Sequence, residues 1–181
     1  GTYAIFQVYE KTIETSNHKV RCDSALGMAV INERYPGQWK IKDGQLYKGD
    51  QLMSNNFKIV DEIGDMTGSN VTIFMGDTRV ATNVKLEDNS RAVGTTVSKA
   101  VEEAVLEKDE TFQGEAEVVG VINQSIYTPI KNGSGETIGI WFTGVPNTPY
   151  EASAAEVRNN IIAVVIIMMV IGIILSWQLI S

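Results

Sequence analysis

The chain has 181 residues, which is room for one domain of ordinary size with its own hydrophobic core. Its 22 acidic and 15 basic side chains give a formal net charge of −7, which argues against nucleic acid as a partner because phosphate binding needs a basic surface. The single histidine, His18, and the single cysteine, Cys22, exclude a histidine cluster for metal and an internal disulfide.

A long helix over residues 3–34 is the first predicted element. Apolar residues recur there at helical spacings, and no proline interrupts the run. Tyr35-Pro36-Gly37 ends the helix, since a proline disfavours helix at the residue before it. About thirty residues is long for a helix of a compact domain, so residues 1–36 are predicted to form either a stalk that packs on the domain or half of a dimer.

A first hairpin and a short helix follow. Asp43-Gly44 is predicted to join strands over residues 39–41 and 45–47, because both positions of this turn accept positive φ. Residues 56–66 carry apolar side chains at helical spacing, which predicts an amphipathic helix.

The second hairpin has the clearest strand pattern in the chain. Residues 70–75 are β-branched and aromatic, Gly76-Asp77 forms the turn, and residues 78–84 return. Strand alternation places Val71, Ile73 and Met75 on one face, predicted to pack on the long helix, and Thr72 and Phe74 on the other.

One helix and three more strands complete the predicted domain. Residues 90–106 are expected to be a loop and then a helix, with one apolar stripe made by Val93, Val97, Val101 and Val105. The strands are predicted over residues 111–122, with bends at Gly114 and Gly120, and then over residues 125–130 and 137–144, joined by a turn at 132–135.

A membrane anchor is predicted at the end of the chain. Residues 161–180 contain no charged side chain, and a helix of that length spans about 30 Å, the thickness of the hydrocarbon core of a bilayer. The predicted organisation is therefore a globular domain over 37–148, a juxtamembrane helix over 149–160 and a transmembrane helix over 161–180. We also expect a first membrane helix upstream of residue 1.

These elements predict an α+β fold, in which a long N-terminal helix packs on a central antiparallel sheet and a C-terminal transmembrane helix follows. Three segments in this order resemble the single Cache sensor domains, which are extracellular and PAS-like, of bacterial chemoreceptors and histidine kinases. The segments are Val71–Asn83, Ile126–Asn132 and Glu136–Gly144. The stretch Gly76–Asn83 is most similar to chemoreceptors of the group.

The resemblance implies both a fold and a function. The domain would lie on the extracytoplasmic side of the cell membrane, dimerise through the long helices and bind a small molecule. Binding would be signalled through the membrane helix in the lipid bilayer to a cytoplasmic signalling region, expected beyond Ser181. Two alternatives stay open: the sensor domain of a histidine kinase or cyclase, and a membrane-anchored dimerisation domain that senses nothing.

Arg79 is the sharpest candidate for ligand binding. It lies on a β-branched strand, where a buried guanidinium needs a partner such as the carboxylate of a ligand. The alternatives are a surface arginine on an edge, or an arginine paired with Asp77 or Glu115. In related citrate and C4-dicarboxylate sensor kinases an Arg-x-x-His pattern occurs here, and Thr82 stands in the place of the histidine. The positions before Pro129 also lack basic residues, which implies a smaller or less charged ligand.

The other candidates are polar and aromatic. Thr72 and Phe74 share the face expected to look toward the ligand, Tyr127 and Trp141 are expected to supply aromatic walls, and Trp39 and Tyr47 a lid. Ordinary core packing is the alternative for each aromatic. No cofactor or metal site is expected, and the lack of paired carboxylates at useful spacing argues against an enzyme.

Overall fold

The described part of the chain, residues 2–147 of a computed structural model, combines helices with antiparallel strands. The predicted juxtamembrane helix and transmembrane helix, with residue 148, lie outside it. None of the helices within residues 2–147 is both long and apolar enough to cross a bilayer. The elements in chain order are α1 Thr2–Arg34, β1 Trp39–Lys42, β2 Gln45–Lys48, β3 Gln51–Leu52, α2 Phe57–Thr67, β4 Asn70–Met75, β5 Thr78–Thr82, α3 Lys99–Glu102, a π-helical turn Glu103–Glu107, β6 Phe112–Val118, β7 Val121–Lys131 and β8 Thr137–Pro146.

The strands form two sheets, and every pairing is antiparallel. The larger sheet has the order β5-β4-β8-β7-β6, and the smaller one has the order β1-β2-β3. The predicted fold class is confirmed: a long helix precedes antiparallel sheets. The first hairpin turns at Asp43 and Gly44 with φ of 52° and 71°, as predicted for this pair of residues. The short strand β3 was missed.

Two predicted elements differ from the structure. The strand predicted over 111–122 is a hairpin, because Val119 and Gly120 take positive φ and turn the chain between β6 and β7. The valine stripe is wrong in its first half, since the helix begins only after Ser98, whose side chain accepts from the amide of Val101. The chain before it pairs with β5 instead; the amide of Val97, for example, donates to Asp77.

Helix α1 packs on the strands β7 and β8 of the larger sheet. Gly27 lies against the indole of Trp141, whose Nε1 donates to the carbonyl of Ser24 at 3.1 Å. We call the core between the sheets and helices the helix-side core. It consists of Ile31, Trp39, Leu46, Met53, Ile59, Val60, Ile63, Val71, Ile73, Ala81, Ile130 and Trp141.

The opposite face of the larger sheet carries a second core, which we call the far-side core. Its residues are Phe74, Val84, Ala92, Val101, Val105, Val118, Tyr127, Ile140 and Phe142. The predicted faces of β4 are confirmed, because Val71 and Ile73 lie in the helix-side core and Phe74 lies in the far-side core.

Gly27→Ala should destabilise the protein even though alanine favours helix over glycine by about 1 kcal/mol. A Cβ at position 27 would lie 2.6 Å from the Trp141 ring and 3.0 Å from Ile63, and overpacking of this kind costs about 1–3 kcal/mol. The free energy of unfolding from urea titration measures the effect. Asn32→Ala, on the exposed side of α1, is the control and should not destabilise; equal effects would contradict this account of Gly27.

Candidate functional site

The guanidinium of Arg79 is buried on the far side of the larger sheet, beneath residues 83–98. Arg79 is 4% exposed, and its Nη1 donates to Thr95 Oγ1 at 2.5 Å. The guanidinium carbon lies 5.0 Å from the ring centroid of Phe74. Its Nε is buried without a hydrogen-bond partner, and no carboxylate of residues 2–147 forms a salt bridge with it. The alternative of a surface arginine is therefore wrong because Arg79 is buried, and the alternative of a pair with Asp77 or Glu115 is wrong because neither forms a salt bridge with it.

The electrostatics of this site follow from burial. Desolvation lowers the pKa of Arg79, while the nearby Tyr127 acts in the opposite direction; an arginine nevertheless stays protonated in a protein. Burial raises the pKa of Tyr127 to about 12, so the phenol is neutral at physiological pH. The site thus holds one positive charge without a compensating negative charge from residues 2–147.

Tyr127 belongs to an aromatic group around this charge. Its ring centroid lies 4.7 Å from that of Phe142, 5.9 Å from that of Phe112 and 6.4 Å from that of Phe74. These distances are typical of favourable aromatic pairs. The surroundings of the guanidinium are therefore mostly apolar, with one phenol among three phenylalanines.

Thr72 and Thr82 form a hydroxyl pair beside Arg79. Their Oγ1 atoms are 2.6 Å apart and both residues are fully buried. Thr82 Oγ1 also accepts from the amide of Val84 at 3.1 Å. Because the two hydroxyls bind each other and the backbone, they are satisfied within the protein.

A β-bulge brings Arg79 and Thr82 onto one face. Residues three apart on a regular strand point to opposite faces, but here Phe74 pairs with Arg79 while Ile73 pairs with Ala81. Val80 is the extra residue that opposes no partner of its own, so the alternation shifts by one. The shared face of the two candidates depends on this irregularity.

Residues 83–98, which we call the covering segment, close over the arginine without forming a helix or strand. The amide of Arg79 donates to the carbonyl of Thr95 at 2.9 Å, and the amide of Gly94 donates back to Arg79 at 2.9 Å. Ala92 of the segment is buried in the far-side core. The segment therefore supplies both a hydrogen bond to the guanidinium and part of its apolar enclosure.

Arg91 fastens the covering segment to helix α2. Its two terminal nitrogens donate to the carboxylate of Asp61 at 2.7 Å each, and Nη1 also donates to the carbonyl of Thr82 at 2.8 Å. The guanidinium carbon lies 4.5 Å from the ring centroid of Phe57. A bidentate ion pair of this kind fixes geometry as well as contributing energy.

The structure brings five of the eight sequence candidates together on the far side: Thr72, Phe74, Arg79, Thr82 and Tyr127. It contradicts the expected position of Trp141. Tyr127 pairs with Phe142 and Thr128 pairs with Trp141, so the indole points to the opposite face and enters the helix-side core.

The expected aromatic lid is also corrected. Trp39 lies in the helix-side core and under the ammonium of Lys48, which is 5.8 Å from its ring centroid. Tyr47 is half-buried on β2, in the smaller sheet. Thr95 and Phe142 belong to the site but are not among the residues predicted from the sequence. The pairing of Tyr127 with Phe142 between β7 and β8 is the feature that identifies Phe142.

An open groove of about 440 Å³ lies on the other side of the sheet, between α1 and β6–β7. Arg79 does not line it. The residues that do are Glu10, Ile13, Glu14, Asn17, Gly114, Glu115 and Gln124. Because Arg79 is 4% exposed, a molecule can contact its guanidinium only if neighbouring residues move.

Comparison with known proteins identifies one matching family. The family model described as single Cache domain 3 matches residues 51–157, which is more than half of the chain. Among solved structures, the crystal structure of the E. coli DcuS sensor domain is similar at 14% sequence identity and a TM-score of 0.42, covering 57% of this chain and 74% of that one. No curated protein matches the sequence.

Tyr127 should make stability depend on pH in the alkaline range. Its phenol ionises near pH 10 in the unfolded chain and at about 12 in the folded protein. Raising the pH between these values therefore favours unfolding, by up to about 1.4 kcal/mol per pH unit. Below that window the phenol is protonated in both states and adds no pH dependence. Tyr127→Phe should remove this contribution, as measured by urea unfolding across the window.

The control for this prediction is Phe142→Leu, in the same core. That change removes no ionisable group, so it should lower the free energy of unfolding equally at every pH. If the free energy of unfolding of Tyr127→Phe changed with pH as it does in the unmodified protein, burial of the Tyr127 phenol would not be the cause of the alkaline pH dependence.

Proposed function

The chain belongs to the single Cache domain family, and we propose that it is the extracytoplasmic sensing domain of a transmembrane chemoreceptor that binds a small organic acid. Domains of this family bind small-molecule ligands outside the cytoplasm. We propose that the chain acts by binding and not by catalysis. The signal would pass through the predicted membrane helix at 161–180 to a cytoplasmic signalling region.

The buried, uncompensated charge of Arg79 is the observation that carries this proposal. Burying an ion without a counter-ion costs several kcal/mol, so the sequence keeps this side chain at a cost to stability. A carboxylate would offset that cost, because its two oxygens match the planar fork of a guanidinium. The unpartnered Nε is the donor that such a ligand would satisfy first.

A histidine kinase would use the same domain with a different output. The residues that distinguish the two classes belong to the signalling region, whose sequence beyond Ser181 in the parent gene decides between them. A conserved phosphate-accepting histidine region there would overturn the chemoreceptor, and a long methyl-accepting helical hairpin would support it.

Arg79→Met should abolish binding of an acidic ligand and leave the fold intact. Truncating one partner of a buried charge pair costs about 2–5 kcal/mol, which corresponds to a loss of about 30-fold to several thousand-fold in affinity. Calorimetry on the full chain in detergent, against a panel of organic acids, measures it. The melting temperature should stay equal or rise, because the unpaired charge is gone.

Arg21→Met is the matched control, since Arg21 lies exposed on α1. Its affinity for the same acids should equal that of the unmodified chain. If Arg79→Met also retained that affinity, Arg79 would be removed from the binding site.

Helix α1 should mediate a weak homodimer of the full chain. Leu26 is 48% exposed on this helix, and burying such a side chain between two copies would stabilise the dimer. Leu26→Glu should therefore shift the sedimentation profile toward monomer. Ile41→Glu, at an equally exposed position on β1, should leave the profile unchanged. A chain that stays monomeric at high concentration would contradict dimerisation.

A further inference from the structure

We infer that the ligand of the Arg79 site is a monocarboxylate with an uncharged, apolar body, and that the site rejects dicarboxylates and amino acids. The inference rests on the proposed function and deepens it. It comes from three observations on the described residues: the number of buried charges, the state of the buried hydroxyls and the nature of the surrounding side chains.

The charge count allows one carboxylate. Among residues 2–147 the buried charged side chains are Lys48 and Arg79, and Lys48 lies beside Trp39, outside the far-side core. The nearby Arg91 is neutralised by its bidentate pair with Asp61. A monoanion would bring the net charge beside the far-side core to zero. A dianion would leave one negative charge in an apolar enclosure, at a cost of several kcal/mol.

The same count rejects an ammonium group. An amino acid would bring its carboxylate to Arg79 and its cation into the same enclosure, where it needs an acidic partner. Two carboxylates around the site already have partners: Asp61 binds Arg91 of the covering segment, and Asp77, two residues before Arg79, accepts from Thr78 Oγ1 at 2.7 Å. A zwitterionic amino acid would therefore pair with the charge of Arg79 but leave its own ammonium group without a partner.

The buried threonine hydroxyls disfavour a polar group on the body of the ligand. Thr72 and Thr82 are hydrogen-bonded to each other at 2.6 Å, and Thr95 Oγ1 donates to the carbonyl of Ala92 at 2.8 Å. These hydroxyls are satisfied before any ligand arrives. A hydroxyl on the ligand would lose its bonds to water and find no waiting partner among them.

The remaining surroundings suit hydrocarbon. Apart from Thr95, the guanidinium lies beside the ring of Phe74, which packs against Tyr127, and Tyr127 in turn packs against Phe142. Each methylene buried against such a surface contributes about 0.8 kcal/mol, or about fourfold in affinity. Because Arg79 is buried beneath the covering segment, a ligand has to displace neighbouring residues to reach it, which favours a short chain.

A matched four-carbon series tests the inference: butyrate, succinate and 2-aminobutyrate. They are titrated calorimetrically into the full chain in detergent, with propionate added to measure the effect of one methylene. Butyrate should bind at least about 100-fold more tightly than succinate or 2-aminobutyrate, and about fourfold more tightly than propionate. Arg79→Met should lose butyrate binding while keeping its circular dichroism spectrum.

The outcomes separate this inference from the proposed function. If succinate or 2-aminobutyrate bound as tightly as butyrate, and Arg79→Met abolished that binding, the sensor proposal would stand and the monocarboxylate inference would be overturned. If none of the acids, including a wider panel, bound the folded chain, both would fail. Selective butyrate binding that Arg79→Met leaves unchanged would overturn the assignment of the ligand to this site.

Discussion

The burial of one guanidinium constrains much of the far side of this domain. An arginine in an apolar enclosure must be held by whatever polar and aromatic contacts the chain can bring to it. Here the holding contacts are the hydroxyl of Thr95 and the ring of Phe74. The bulge at Val80 orients the side chain toward them, and residues 83–98 close above it. The local strand geometry and the path of the following loop thus both contribute to enclosing one charge.

Strand β8 connects the two cores of the domain. Trp141 and Phe142 are neighbours in sequence, yet strand alternation sends the indole to the helix-side core and the phenyl ring to the far-side core. The same strand lies at the centre of the larger sheet, between β4 and β7. Adjacent residues of one strand therefore contribute to both cores, which makes β8 a structural link between the two sides of the sheet.

Local patterns in the sequence predicted much of the fold, because short-range physics determines those features. The Asp43-Gly44 turn and the faces of β4 needed only residue chemistry and a period of two. The position of Trp141 needed the register between β7 and β8, which depends on pairing across the sheet. To predict that Arg79 and Thr82 share a face, one would need to know of the β-bulge at Val80, which no residue type in the strand indicates. The valine stripe before Ser98 failed because backbone bonds to β5 outcompeted helix formation.

The seat of Trp141 on α1 has a mechanical consequence. The indole ring packs on Gly27, which has no side chain, and its Nε1 donates to the carbonyl of Ser24. These two interactions fix the position of the ring along the helix. Sliding α1 along its axis by a single residue, about 1.5 Å, would break this hydrogen bond and press a neighbouring side chain into the ring. The contact and the hydrogen bond therefore both favour movement of α1 and β8 as one body.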